Sequence, residues 1–207
     1  MRTQIMESET SQTPTPSVRS KFSPFISEMI RFVMIAVFIV LPIRLYIAQP
    51  FIVSGSSMDP TFANGEYLIV DEASYRFGDP ERGDVIIFKY PQDTSKFFIK
   101  RIIGLPGETV HVEGTKIRIV NENNPEGFVL DESYLTHETE SFIRLKLSDE
   151  EYFVMGDNRP ASSDSRVWGP LPRELIIGRA FVRLLPAGRI DLFPGEHSYE
   201  LDAEITE

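Results

Sequence analysis

The sequence predicts a mainly β protein, with a single N-terminal transmembrane helix followed by an antiparallel β domain that carries a smaller inserted β region. Three observations carry this. One apolar segment of membrane length lies near the N-terminus. Short β-branched and aromatic runs, punctuated by Gly, Pro and Asp, fill most of the chain beyond it. Amphipathic helical periodicity is almost absent after Gln49. With 207 residues and 42% hydrophobic content, the chain has apolar material for one sizeable domain plus an appendage.

Taken in order, residues 1–24 are rich in Ser, Thr and Pro and hold little that would build a core, so they are expected to be a disordered cytoplasmic tail. Residues 25–49 are the expected transmembrane helix. Phe32 to Ile43 is a run of twelve apolar residues, and Met29 to Gln49 gives twenty-one positions. At ~1.5 Å per residue that is enough for ~30 Å of hydrocarbon. Arg31 and Arg44 lie near opposite ends, where their heads snorkel, and Pro42 is a kink that a membrane helix tolerates. A cleaved leader is the rival reading, but Ile47-Ala-Gln49 is a poor cleavage site. Arg19, Lys21 and Arg31 precede or open the segment and no basic residue lies between Gln49 and Tyr75. The charge bias therefore keeps the N-terminus in the cytoplasm and puts the β domain outside it.

Residues 50–195 are the expected β domain. Its strands are read at 51–53, 66–70, 84–88, 97–103, 109–112, 116–120, 142–145, 151–155 and 180–185. A more polar, turn-rich stretch at about 114–147 reads as the inserted β region. Residues 196–207 form an acidic tail expected to be solvated.

A net charge of −10 argues against a nucleic-acid partner, because phosphate binding needs clustered Lys and Arg. It also argues against attachment to anionic lipid through a basic face. The absence of cysteine removes thiol nucleophiles, thiolate metal sites and disulfides. No cofactor and no metal are called for: the three histidines, His111, His137 and His197, sit in polar settings without zinc-protease spacing.

Two residues point to chemistry. Ser57 lies in Ser54-Gly-Ser-Ser-Met-Asp-Pro-Thr61, where Gly55 frees the backbone and Pro60 fixes it. Such a loop presents a hydroxyl beside free N–H groups that bind a developing oxyanion. By itself the motif also fits an ordinary Ser/Gly turn. Lys100 follows Phe97-Phe-Ile99. In a strand it shares a face with Phe98 and Ile102, where lost hydration lowers its pKa and makes it a base for Ser57. The alternative is a lysine whose tip reaches solvent. Asp157 and Asp164 stand among Asn158, Arg159 and Arg166, which suggests ion pairing.

Four motifs in series resemble the bacterial type I signal peptidases. They are Ser56-Ser-Met-Asp-Pro-Thr61, Arg82-Gly-Asp-Val-Ile-Ile-Phe88, Ile99-Lys-Arg-Ile-Ile-Gly-Leu-Pro-Gly107 and Gly156-Asp-Asn-Arg-Pro-Ala-Ser-Ser-Asp-Ser-Arg166. The resemblance implies a membrane-bound serine endopeptidase that removes signal peptides from exported precursors. Ser57 is then the nucleophile and Lys100 the general base. Ser162 is a support that hydrogen-bonds Lys100. The Ser57 N–H is part of the oxyanion hole, and Gly55 stands where some members add a second hydroxyl donor. Asp164 and Arg166 become a structural ion pair, with Arg101 nearby. Phe51, Val53, Met58, Ile87, Phe98 and Ile99 would bind substrates with small residues at −1 and −3, added as a strand. The implied partners are signal-peptide-bearing precursors, the lipid bilayer and, functionally, the export machinery. The implied location is the bacterial cytoplasmic membrane, with Phe62 a candidate for lipid contact. Two rivals share some of these features: an inert tethered β domain that binds exported chains, and a repressor-type Ser-Lys autoprotease.

Overall fold

The computed structural model describes residues 24–41, 48–137 and 139–199. They fall into two compact units divided between Val40 and Leu41. In the first, helix α1 (Pro24–Ile35) continues as a π-helical stretch, Ala36–Val40. Its large apolar side chains are exposed all round, Phe32 at 73% and Phe38 at 66% among them. Among the described residues no helix is long and apolar enough to cross a membrane. Residues 1–23 and 42–47, where part of the expected tail and span fall, lie outside the described set. One boundary of that expectation is corrected. Ala48 and Gln49 are not helical, because their backbones pair in a strand with Asp71 and Val70.

The second unit is antiparallel β, as the alternation of apolar and polar residues requires. Its strands are β1 (Ala48–Ile52), β2 (Tyr67–Asp71), β3 (Val85–Tyr90), β4 (Asp93–Gly104), β5 (Thr109–Gly114), β6 (Lys116–Val120), β7 (Phe128–Val129), β8 (Ser141–Lys146), β9 (Glu151–Met155), β10 (Leu171–Pro172), β11 (Ile176–Leu185) and β12 (Asp191–Leu192). An eight-stranded sheet runs β1-β2-β11-β3-β4-β9-β10, with β12 added to β11. A four-stranded sheet runs β7-β6-β5-β8 and includes Thr109–Gly114, so the smaller β region starts one strand before residue 114. Short helices α2 (Ser74–Phe77) and α3 (Ser165–Trp168) decorate the large sheet.

Three apolar clusters hold this frame. Val110, Val112, Ile117 and Ile119 line the inner face of the small sheet. Val53, Met58, Phe62, Leu68, Val85 and Ile87 fill one side of the large sheet, and Ile86, Phe88, Ile102 and Val154 fill the other. Phe62 is completely buried in the second cluster, so it is core and not a lipid contact. The end of the chain also departs from expectation. Tyr199 packs against the small-sheet cluster, and the His197 ring lies tilted against Tyr134 and edge-to-face with Tyr199, so the His197 and Tyr199 side chains do not lie free in solvent. Residues 200–207 are outside the described set.

The topology leaves two strand edges open. β1 pairs only with β2. β4 pairs with β3 through residues 93–101 but meets β9 only from Arg101 to Gly104, so its outer half has a free edge. The rings of Phe51 on β1 and Phe97 on β4 stand 5.5 Å apart. The site lies between these edges.

Candidate active site

Ser57 sits on a loop, residues 54–65, closed at its neck. Val53 N–H donates to Glu66 O at 2.9 Å and Gly65 N–H to Val53 O at 2.8 Å. Gly55 has φ +95°, a conformation side chains resist, and its N–H donates to Asn64 Oδ1 at 2.9 Å. The next peptide is held from two sides. Ser56 O accepts from Asp59 N–H at 3.2 Å and from Asn158 Nδ2 at 3.0 Å. In a trans peptide the N–H points opposite to the C=O, so this clamp turns the Ser57 N–H away from Asn158. Among the described residues that N–H meets no acceptor, which leaves it available to an oxyanion. Asn158 N–H also donates to Ser57 O at 3.0 Å.

Lys100 comes from β4, opposite Ile86 of β3. As the alternation predicts, it lies on the face of Phe98 and Ile102, and it is 4% exposed. Its Nζ lies 2.7 Å from Ser57 Oγ and 2.8 Å from Ile99 O, and 5.4 Å from the centre of the Phe98 ring. Burial lowers the Lys100 pKa to about 8, against the pull of the Asp164 and Asp157 carboxylates. At that value about a tenth of the side chain is neutral at pH 7. Ser56 also lines the cleft, but the lysine contact is made by Ser57.

Two carboxylates behind the lysine are each matched by an arginine. Arg166 Nε and Nη2 donate to Asp164 Oδ1 and Oδ2, both at 2.8 Å. Arg101 Nε and Nη2 donate to Asp157 at 2.9 and 2.6 Å, with both side chains 1% exposed. Asp157 also accepts from Thr61 Oγ1 at 2.6 Å, which ties the Ser57 loop to the same carboxylate. Beside it Arg159 pairs with Glu132. Gly156 makes the junction possible: a Cβ there would lie 2.4 Å from Ser57 O and 2.3 Å from Ser162 Oγ.

Ser162 corrects one expectation. Its hydroxyl is buried but makes no hydrogen bond, and it is set against Gly156 and not on Lys100 Nζ. The lysine meets Ser57 and Ile99 O instead.

The cleft in front of the pair has a volume of about 480 Å³. Of the residues expected to meet substrate, Phe51, Val53, Ile87, Phe98 and Ile99 line it, and Gly55 is at its wall. Met58 does not. It is 1% exposed in the core beneath the loop, because the turn after Ser57 directs it inward. Leu68 and Lys96 also line the cleft and were not expected. Asn64 and Asn158 were missed as loop clamps. The position of Asn158 within the Gly156–Arg166 motif was the available signal. No group of three or more His, Asp and Glu that would hold a metal occurs among the described residues.

The family model for signal peptidase, peptidase S26, matches residues 26–185. A protein named "Probable signal peptidase I-2" from Synechocystis sp. is 39% identical over 172 residues, covering 80% of this chain and 76% of its own. The signal peptidase I of Leptolyngbya laminosa is 37% identical over 196 residues, covering 89% and 93%. A crystal structure of a signal peptidase I from Enterococcus faecalis, 31% identical, covers 49% of this chain and 97% of its own with a TM-score of 0.41. The assignment therefore rests on the sequence matches.

Proposed function

The chain belongs to the signal peptidase family, peptidase S26, and on that premise we propose that Ser57 and Lys100 are the catalytic dyad with which it cleaves signal peptides from exported precursors. The observation that carries this reading is the 2.7 Å approach of a nearly dry lysine nitrogen to a serine oxygen at the wall of an apolar cleft.

Neutral Lys100 takes the Ser57 proton on its lone pair as Oγ attacks the scissile carbonyl carbon. The carbonyl oxygen becomes an oxyanion facing the Ser57 N–H. When the tetrahedral species collapses, the C–N bond breaks and the Lys100 ammonium gives its proton to the departing amine. The precursor leaves with a new N-terminus. Water then enters, gives a proton to Lys100 and attacks the acyl carbon. Lys100 returns the proton to Ser57 as the ester breaks. No cofactor is needed at any step.

Substrate enters as a strand between the open edges of β1 and β4, where backbone groups supply pairing. Phe51, Val53, Ile87, Phe98 and Ile99 leave room for small side chains on either side of that strand. Asp164 with Arg166, and Arg101 with Asp157, are scaffold. The apolar helix that begins at Pro24, exposed on every side, is the proposed membrane anchor, with the β domain on the extracytoplasmic side of the bacterial membrane. This arrangement brings the cleft to precursors as they leave the export machinery.

The test is purified protein, a precursor and N-terminal sequencing of the product. Ser57→Ala is expected to abolish cleavage, and Ser56→Ala to retain it. Cleavage kept in Ser57→Ala and lost in Ser56→Ala would move the nucleophile by one position.

A further inference from the structure

Residues 194–199 lie beyond the part of the chain that matches the family model, yet they pack against the motifs that build the site. Gly195, at φ +74°, brings the backbone so close that a Cβ would lie 2.5 Å from Thr61 Cγ2. Its carbonyl accepts from Arg101 Nη1 at 2.6 Å. Two residues on, His197 O presses on Gly83, where a Cβ would be only 1.9 Å away. Gly83 O accepts the other Arg101 Nη1 bond, at 2.9 Å. His197 Nε2 lies 3.1 Å from Asp131 O, and Tyr199 Oη lies 2.8 Å from Tyr134 Oη. The Tyr134 ring, in turn, lies 4.4 Å from the Arg101 guanidinium.

We propose that residues 194–199 form a strap that positions Arg101, the neighbour of the base, and so holds the Arg101–Asp157 pair that sets the charge Lys100 faces. The inference rests on the dyad reading above. Arg101 has five N–H donors. Two go to Asp157, and the two on Nη1 go to Gly83 O and Gly195 O. Removing the strap takes one of these acceptors and opens the guanidinium to water. Asp157 is then less well neutralised.

The charged groups that bear on Lys100 are Asp164 and Asp157, matched by Arg166 and Arg101. Those that bear on Arg101 are Asp157, Tyr134 and Tyr199. An under-compensated Asp157 stabilises the Lys100 ammonium, and so does water entering behind it. Both effects move the base in one direction, toward the charged form. The strap therefore matters most at neutral pH and least in alkali.

The test is the pH profile of kcat/KM for precursor cleavage, from pH 6 to 10.5. It compares the full chain in detergent with a chain ending at Phe193 and with Tyr199→Ala. The shortened chain is expected to shift its midpoint alkaline by about one pH unit. It should lose about tenfold at pH 7 and recover to within about twofold by pH 10. Tyr199→Ala should shift the same way by less, and decides the question alone if the shortened chain does not fold. An unchanged midpoint in whichever variants remain folded, whatever their activity, would overturn the strap. Cleavage by the full chain that survives Ser57→Ala would instead overturn the dyad reading.

Discussion

Two lysines four residues apart on β4 have opposite fates. Lys96 stands on the outer half of the strand, 63% exposed, 2.9 Å from Asp93. Its pKa is raised, because the Asp93 carboxylate accepts its hydrogen bond and attracts its charge. Lys100 stands opposite Ile86 at 4% exposure, and burial takes its pKa down to about 8. Both side chains touch the same cleft. The difference is hydration, and it decides which amine is a base near neutral pH.

The widest separation between the two should appear in turnover. Lys100→Met is expected to lower precursor cleavage by about 10³-fold or more, the scale of a lost general base. Lys96→Met should leave cleavage within about twofold, because an exposed ion pair contributes little. Similar losses in both, measured by initial rates, would erase the distinction. A second experiment leaves both lysines intact and moves the serine. Gly156→Ala places a methyl where Ser57 O and Ser162 Oγ already stand, so the loop must shift. A displacement of that kind costs about 10²-fold in kcat.

Stability should separate the lysines more modestly and with a defined sign. The folded pKa of Lys100 is below its ordinary value of 10.5, so the folded state binds fewer protons than the unfolded between about pH 8 and 10.5. The cost of burial is complete below pH 8 and fades as pH rises toward 10.5. Lys100→Met should therefore be more stable than the parent at pH 7 by roughly 1–3 kcal/mol, allowing for its two lost hydrogen bonds. Denaturant melts should show that gap closing in alkali. A gap that widens with pH would reverse the sign assigned to Lys100.

Much of this contrast was legible in the sequence, because it depends on local alternation. Phe98, Lys100 and Ile102 share a face in any strand, and every strand read from pattern overlaps an observed one. The two-residue strands at Phe128, Leu171 and Asp191 were missed, being too short to show a period. Features that depend on distant packing could not be read. Met58 looks like a pocket residue beside Ser57, and only the turn after it sends its side chain into the core. Ser162 is expected on Lys100, but backbone geometry sets its hydroxyl against Gly156. An acidic tail reads as solvated until Tyr199 finds Tyr134, sixty-five positions away.

The most direct test of the dyad is the ionisation of Lys100 itself, followed by the ¹³Cε shift of labelled lysine in Ser57→Ala, with Lys100→Arg identifying the signal. A midpoint near pH 8 is expected, well below that of Lys96. A Lys100 midpoint at the ordinary 10.5 would contradict the assignment, since the side chain would then be a hydrated cation and no base for Ser57.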